Sequence, residues 1–129
     1  MNERMDPTKL HIAMCYFPQK FWDEEHLKLA VDCGLDLFIY LIGAPKSFLD
    51  LMSKYGVGAI EHGTVPGWRG DPWQGKFAET NPISIYEKAA ARFEDHPAIW
   101  SINACDEPSA LDLPHYGVVL DFIDLRWLY

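Results

Sequence analysis

The chain has 129 residues, 49% of them hydrophobic and 14% aromatic, with 11 basic against 19 acidic side chains and a formal net charge of −8. That size and composition predict one soluble globular domain with a real core. The acidic balance excludes the basic surface that nucleic acids and anionic membranes require, and is compatible with a neutral ligand.

The polar start, Met1 to Pro7, lacks the apolar run of a secretory leader, and no stretch approaches the roughly 18 apolar residues of a membrane span. A cytoplasmic location is the default expectation. His11-Ile-Ala-Met-Cys-Tyr-Phe17 reads as a first short strand closed by Pro18. Asp23 has the character of a helix N-cap, with Glu24 and Glu25 in the first turn, where the helix dipole favours acids. Leu27, Ala30, Val31 and Gly34 follow at helical spacing, and Gly34 fits the C-terminal cap. Leu35 to Ile42 is a second strand, apolar on both faces apart from Asp36, as in sheets covered on both sides. Pro45 opens a second helix whose stripe of Phe48, Leu51, Met52 and Tyr55 faces a core; Gly56 ends it. Val57 to His62 is a third strand that finishes in Glu61 and His62.

Gly63 to Thr80 is the longest irregular stretch, with Trp68 and Trp73 set among glycines and prolines. A connection of this length is functional or mobile. Its two indoles either pack down as a lid or face a ligand. Asn81-Pro82 starts a third helix with Tyr86, Ala89, Ala90 and Phe93 as its stripe, and His96-Pro97 breaks it. Ala98 to Cys105 is about the length of a buried parallel strand, and Pro108 ends the run, leaving Asp106 and Glu107 at its C-terminal end. Side-chain alternation predicts Ser101, Asn103, Cys105 and Glu107 on one face, and Trp100, Ile102 and Ala104 on the other, packed on helices. Asp112 can cap a fourth helix, with Pro114 in its first turn and Tyr116, Val119, Leu120 and Ile123 facing inward. Arg126 to Tyr129 is either the last turn of that helix or the start of a fifth strand. Cys15, Cys33 and Cys105 are widely spaced and form no Cys-x-x-Cys pair, so buried free thiols are expected rather than a disulfide framework or a zinc site.

Strand and helix alternate four times, which predicts an α/β fold with a parallel sheet and right-handed crossovers. An open doubly wound sheet fits, and so does part of an eight-unit barrel, which takes about 250 residues when whole. No Gly-x-Gly-x-x-Gly or P-loop follows the first strand, so the nucleotide-binding version lacks its signature. Either architecture puts a ligand site at the C-terminal strand ends. Those ends carry Tyr16-Phe17, Gly43, Glu61-His62 and Asp106-Glu107, with the Trp68 and Trp73 connection beside them. A carboxyl partly desolvated there has a raised pKa and can donate a proton. Each member also has a plainer reading: His62 as a structural histidine, and Asp106-Glu107-Pro108 as a solvated turn.

The run from Trp100 through Ala104-Cys-Asp-Glu-Pro-Ser109 resembles the fourth-strand signature of the (β/α)8 glycoside hydrolases of the large retaining clan, where an Asn-Glu-Pro carries the general acid/base. Leu27 to Phe38 resembles their first helix and second strand, Tyr55-Gly-Val-Gly-Ala-Ile60 the entry to their third strand, and His96-Pro-Ala-Ile-Trp100 the entry to their fourth. The resemblance spans nearly the whole chain, as the N-terminal half of such a barrel. It implies half of a TIM (β/α)8 barrel over residues 1–129, a carbohydrate substrate, and hydrolysis of O-glycosidic bonds with Glu107 as general acid/base. It further implies Asp106 as a substrate contact, Tyr16, His62, Trp68 and Trp73 as sugar-contacting or lid residues, and no cofactor or metal. Asp106 stands where the family has asparagine, and a second charge beside Glu107 tends to raise its pKa. The family's nucleophile is a glutamate ending the seventh strand, beyond the reach of this chain. Asp106 and Glu107, neighbours on opposite strand faces, are poor candidates for the two carboxyls about 5–5.5 Å apart that retaining hydrolysis needs.

Two other functions fit the same residues. One is a carbohydrate-binding or interaction remnant without turnover. The other is a different barrel enzyme with His62, Glu61 and Asp106 as ligands of a divalent metal. A half barrel also has two free strand edges, so self-association through them is expected.

Overall fold

The computed structural model describes residues 6, 8–61, 74–93, 96–105 and 108–127. Among these residues, four strands form one sheet in the order of the sequence, and every neighbouring pair is parallel. They are β1 (Ala13–Cys15), β2 (Leu37–Leu41), β3 (Gly58–Glu61) and β4 (Ile99–Ile102). Between them run α1 (Glu24–Asp32), α2 (Lys46–Lys54), α3 (Phe77–Thr80) and α4 (Ile83–Phe93), and α5 (Leu113–Trp127) follows β4. The α/β class and the four consecutive strand–helix units are those read from the sequence. No described helix is long and apolar enough to cross a membrane.

Helix ends follow local chemistry. The Asp23 carboxylate accepts the His26 N–H at 2.9 Å and caps α1. Gly34 (φ +87°) closes that helix, with Leu35 N–H donating back to the Ala30 carbonyl at 3.1 Å. Gly56 (φ +68°) closes α2 in the same way, with Val57 N–H donating to the Met52 carbonyl at 2.9 Å. Both turns need the left-handed conformation that glycine adopts without penalty.

The register Met14, Phe38, Ala59, Ile99 runs across the sheet on one face. That face packs on α1 and α2 through Leu27, Ala30, Phe48, Leu49 and Met52. Phe17 joins this core, stacked on Phe38 with ring centroids 4.6 Å apart. A second core gathers Phe77, Tyr86, Ala89, Ala90, Val119 and Ile123 against Ile102 and Ala104. Leu120, expected to face inward, is exposed, and Phe122 packs on this core instead.

Three expectations are corrected. Strand β4 ends at Ile102, not Cys105. Trp100 does not share a helix-packed face with Ile102: its ring lies over Gly58, on the face opposite Ala59. The cause is an irregularity in the β3–β4 ladder, where Ala59 pairs with Ile99 but Ile60 pairs with Ser101, so strict alternation breaks at Trp100. The stretch from 63 to 80 is not wholly irregular, since its end forms α3 around buried Phe77.

The cysteines also depart from expectation. Cys15 and Cys33 are exposed and Cys105 is half-buried, all as free thiols. Cys15 stands on the sheet face away from α1 and α2, and Cys33 caps the solvent end of α1.

Candidate functional site

Parallel pairing brings the C-terminal ends of all four strands to one rim, in the register Cys15, Ile39, Ile60, Ser101 and then Leu41, Glu61, Ile102. Tyr16 leaves β1 at this rim. Its N–H donates to the Ile39 carbonyl at 2.9 Å, its φ is +67°, and the residue is 61% exposed. The next residue, Phe17, is buried, and its carbonyl accepts the Trp22 indole N–H at 2.9 Å. Ladder and core thus grip the chain on both sides of Tyr16, and the phenol ring is held outward at the cost of a left-handed backbone. A bulky residue at such φ is a strained conformation of the kind found at functional sites.

Tyr40 on the neighbouring strand repeats the feature. Its φ is +60°, in the bulge where the β2–β3 register steps from Ile39 to Leu41. No sequence pattern signals it, because an apolar strand reads as regular. On β3, Glu61 is 3% exposed, and its carbonyl accepts the Asn103 N–H at 2.7 Å. That bond carries the β3–β4 pairing past the end of β4.

Beyond Asn103 a buried polar chain fixes the backbone. The Tyr86 hydroxyl donates to the Ala104 carbonyl, and the Asn81 side-chain amide donates to the Tyr86 oxygen at 3.2 Å. Burial pushes the Tyr86 phenol well above its ordinary range, so it stays a neutral donor. On the far side of the Asp106-Glu107 pair, the Ser109 hydroxyl donates to the Asp112 carboxylate, which also accepts the Phe77 N–H at 3.0 Å. Asp112, read from the sequence as a helix cap, is buried at 2% exposure. Phe77 lies 35 positions before it, too far for any sequence pattern to pair them.

Of the residues singled out from the sequence, Tyr16 is at the rim. His62, Trp68, Trp73, Asp106 and Glu107 lie outside the described residues. Of their described neighbours, Glu61 ends β3, Gln74 lies in the connection that follows β3, and Cys105 and Pro108 lie in the connection that follows β4. Glu61 is the one described member of the three considered as metal ligands. Among the described residues no group of three His, Cys, Asp or Glu side chains could hold a metal ion.

No protein-family model and no curated protein sequence matches the chain. Solved structures do. The endoglucanase Cel5A of Pseudomonas stutzeri is similar with a TM-score of 0.52 and 21% identity, over 80% of this chain and 39% of that one. The same endoglucanase in complex with cellobiose is similar with a TM-score of 0.53 and 21% identity, over 80% of this chain and 38% of that one. The chain therefore spans about two fifths of the length of the endoglucanase it resembles. The fold is that of an α/β half-barrel, four consecutive βα units with parallel strands.

Proposed function

We propose that residues 1–129 form the N-terminal half of a glycoside hydrolase-like barrel, part of a longer catalytic domain, that acts on a carbohydrate through the rim described above. Glu107 is the general acid/base, Asp106 a substrate contact, and Tyr16, His62, Trp68 and Trp73 supply aromatic and imidazole contacts to sugar rings. The observation that carries this reading is the fold likeness to an endoglucanase, joined to an Asp-Glu-Pro run in the connection after the fourth strand. Two features support it further: Tyr16 is held outward on the same rim, and Tyr86 and Asp112 anchor the backbone on either side of Asp106-Glu107. The catalytic partner of Glu107 is a second carboxylate, about 5–5.5 Å away, from a later strand.

The test is Glu107→Gln in the protein encoded by the full reading frame. Gln matches Glu in shape but cannot give up a carboxyl proton. Hydrolysis of cellohexaose is expected to fall roughly a hundred- to ten-thousand-fold. Aryl glycosides with good leaving groups, which need little acid help, should lose less at the glycosylation step. Equal loss for both substrates would overturn the role of Glu107. The coding DNA beyond Tyr129 should hold further βα units and a glutamate ending the seventh strand.

A second reading is sugar binding without turnover, supported by the Tyr16 ring held outward on the rim. It predicts cellohexaose affinity that is lost in Trp68→Ala or Trp73→Ala, and no hydrolysis by the protein that the full reading frame encodes.

A further inference from the structure

Asp112 immediately precedes α5, and its main-chain carbonyl accepts the Tyr116 N–H at 2.9 Å, as a helix start requires. Its carboxylate has partners outside that helix. One oxygen accepts the Phe77 N–H at 3.0 Å, and the other accepts the Ser109 hydroxyl. A buried carboxylate is tolerated when hydrogen bonds satisfy it, and here a donor reaches each of its two oxygens. Gly75 and Phe77 stand at the end of the connection that carries Trp68 and Trp73, and Ser109 stands two residues after Glu107.

Other contacts join the same two pieces of chain. A Cβ placed on Gly75 (φ +75°) would lie 3.6 Å from the Leu111 side chain. The Phe77 ring meets His115 edge-on with centroids 5.3 Å apart and Tyr116 at 6.2 Å. The His115 ring bonds through Nε2 to the Asn81 carbonyl at 2.9 Å. The end of the β3 connection is therefore docked on the start of α5, with the Asp112 carboxylate at the centre of the joint.

We propose that Asp112 is a positioning residue whose carboxylate clamps the end of the Trp68/Trp73 connection to the segment that follows Glu107, so that the two keep one fixed relation. Its functional meaning rests on the sugar-site reading above. A helix cap would serve its own helix; this carboxylate serves the neighbouring βα connection.

Hydrogen exchange on the protein encoded by the full reading frame tests the clamp without any ligand. In Asp112→Asn one acceptor oxygen and an NH2 group replace two acceptor oxygens, against donors that are all still present. Amides of residues 75–80 and 109–112 are expected to exchange at least tenfold faster together, with those of β1 to β3 unchanged. Faster exchange confined to residues 113–117, with 75–80 still protected, would reduce Asp112 to a helix cap and overturn the proposal. Should Asp112→Asn fail to fold, Ser109→Ala decides: it removes one donor, keeps the carboxylate, and should loosen both segments, whereas a change limited to 109–112 would overturn the clamp. Cellohexaose titration followed by tryptophan fluorescence reads the functional half, with binding expected to weaken at least tenfold in Asp112→Asn; undiminished binding would refute positioning. Absence of cellohexaose binding by the parent chain would count against the sugar-site reading alone, and exchange would still decide the clamp.

Discussion

Gly58 is a glycine for lack of room. A Cβ there would lie 2.0 Å from the Trp100 ring, closer than any real contact, and the strand backbone needs no unusual φ at that point. Gly58→Ala should therefore destabilise the fold by about 1–3 kcal/mol, the usual cost of overpacking. Urea unfolding checks it, and the background matters: in Trp100→Ala most of the penalty should vanish. The same penalty in both backgrounds would mean that the ring is not its cause. Trp100 also meets the His11 ring edge-on at 5.3 Å, so the indole bridges β3 and the segment before β1. Nothing in the sequence placed it there, because alternation was the only guide and a ladder irregularity cancels alternation. The place of Tyr16 at the rim, by contrast, was legible, since it depends only on following the first strand.

Among the elements, β1 and β2 are joined at their N-terminal ends by one side chain. Asp36 accepts the Ile12 N–H at 2.9 Å, the His11 Nδ1 at 2.8 Å and the Lys9 ammonium at 3.1 Å. The sequence showed Asp36 as the lone polar residue of an apolar strand; the structure gives it the task of holding the lead into β1. Burial works to raise its carboxyl, and the hydrogen bonds from His11, Lys9 and Ile12 more than offset it, holding it below the ordinary carboxylate range. An unfolded aspartate titrates near pH ~3.9. The folded value is the lower of the two, so the contribution of Asp36 is complete above about pH 4 and is lost as pH falls from there through the folded value. A plot of stability against pH should flatten in that acid range in Asp36→Asn; an unchanged acid limb would show that other carboxylates carry it. Caps and stripes made the longer helices readable: Asp23, Gly34 and Gly56 each stand where their chemistry predicts. Helix α3 escaped because four residues carry too little periodicity. The strands came out shorter than read, because an apolar run continues past the point where the ladder stops.

At the scale of the molecule, β1 and β4 each pair on one side only among the described residues. The sheet face away from α1 and α2 carries exposed Ala13 and Cys15, half-buried Ile39 and Ile60, and the ring of Trp100. Unpaired edges and uncovered apolar surface invite pairing with another chain. The 129-residue chain alone is therefore expected to self-associate or to be partly molten. Sedimentation equilibrium and near-ultraviolet circular dichroism check this; a sharply folding monomer at all concentrations would overturn it. The order of elements made the parallel α/β sheet legible, because parallel topology follows from alternation; the half-barrel rather than an open doubly wound sheet came from the resemblance at the end of the fourth strand. The site was legible only as a rim, since the bonds that fix it, Tyr86 to Ala104 and Asp112 to Phe77, join residues distant in sequence. Strand β4 divides the core between its ends: Ile99 belongs to the cluster under α1 and α2, and Ile102 to the cluster around α4 and α5. Four residues of strand are thus a seam between two bodies of packed side chains. If heat melts one body while the other persists, calorimetry is expected to absorb more enthalpy than the steepness of the melting curve reports, and equal values would mean that the two bodies melt as one.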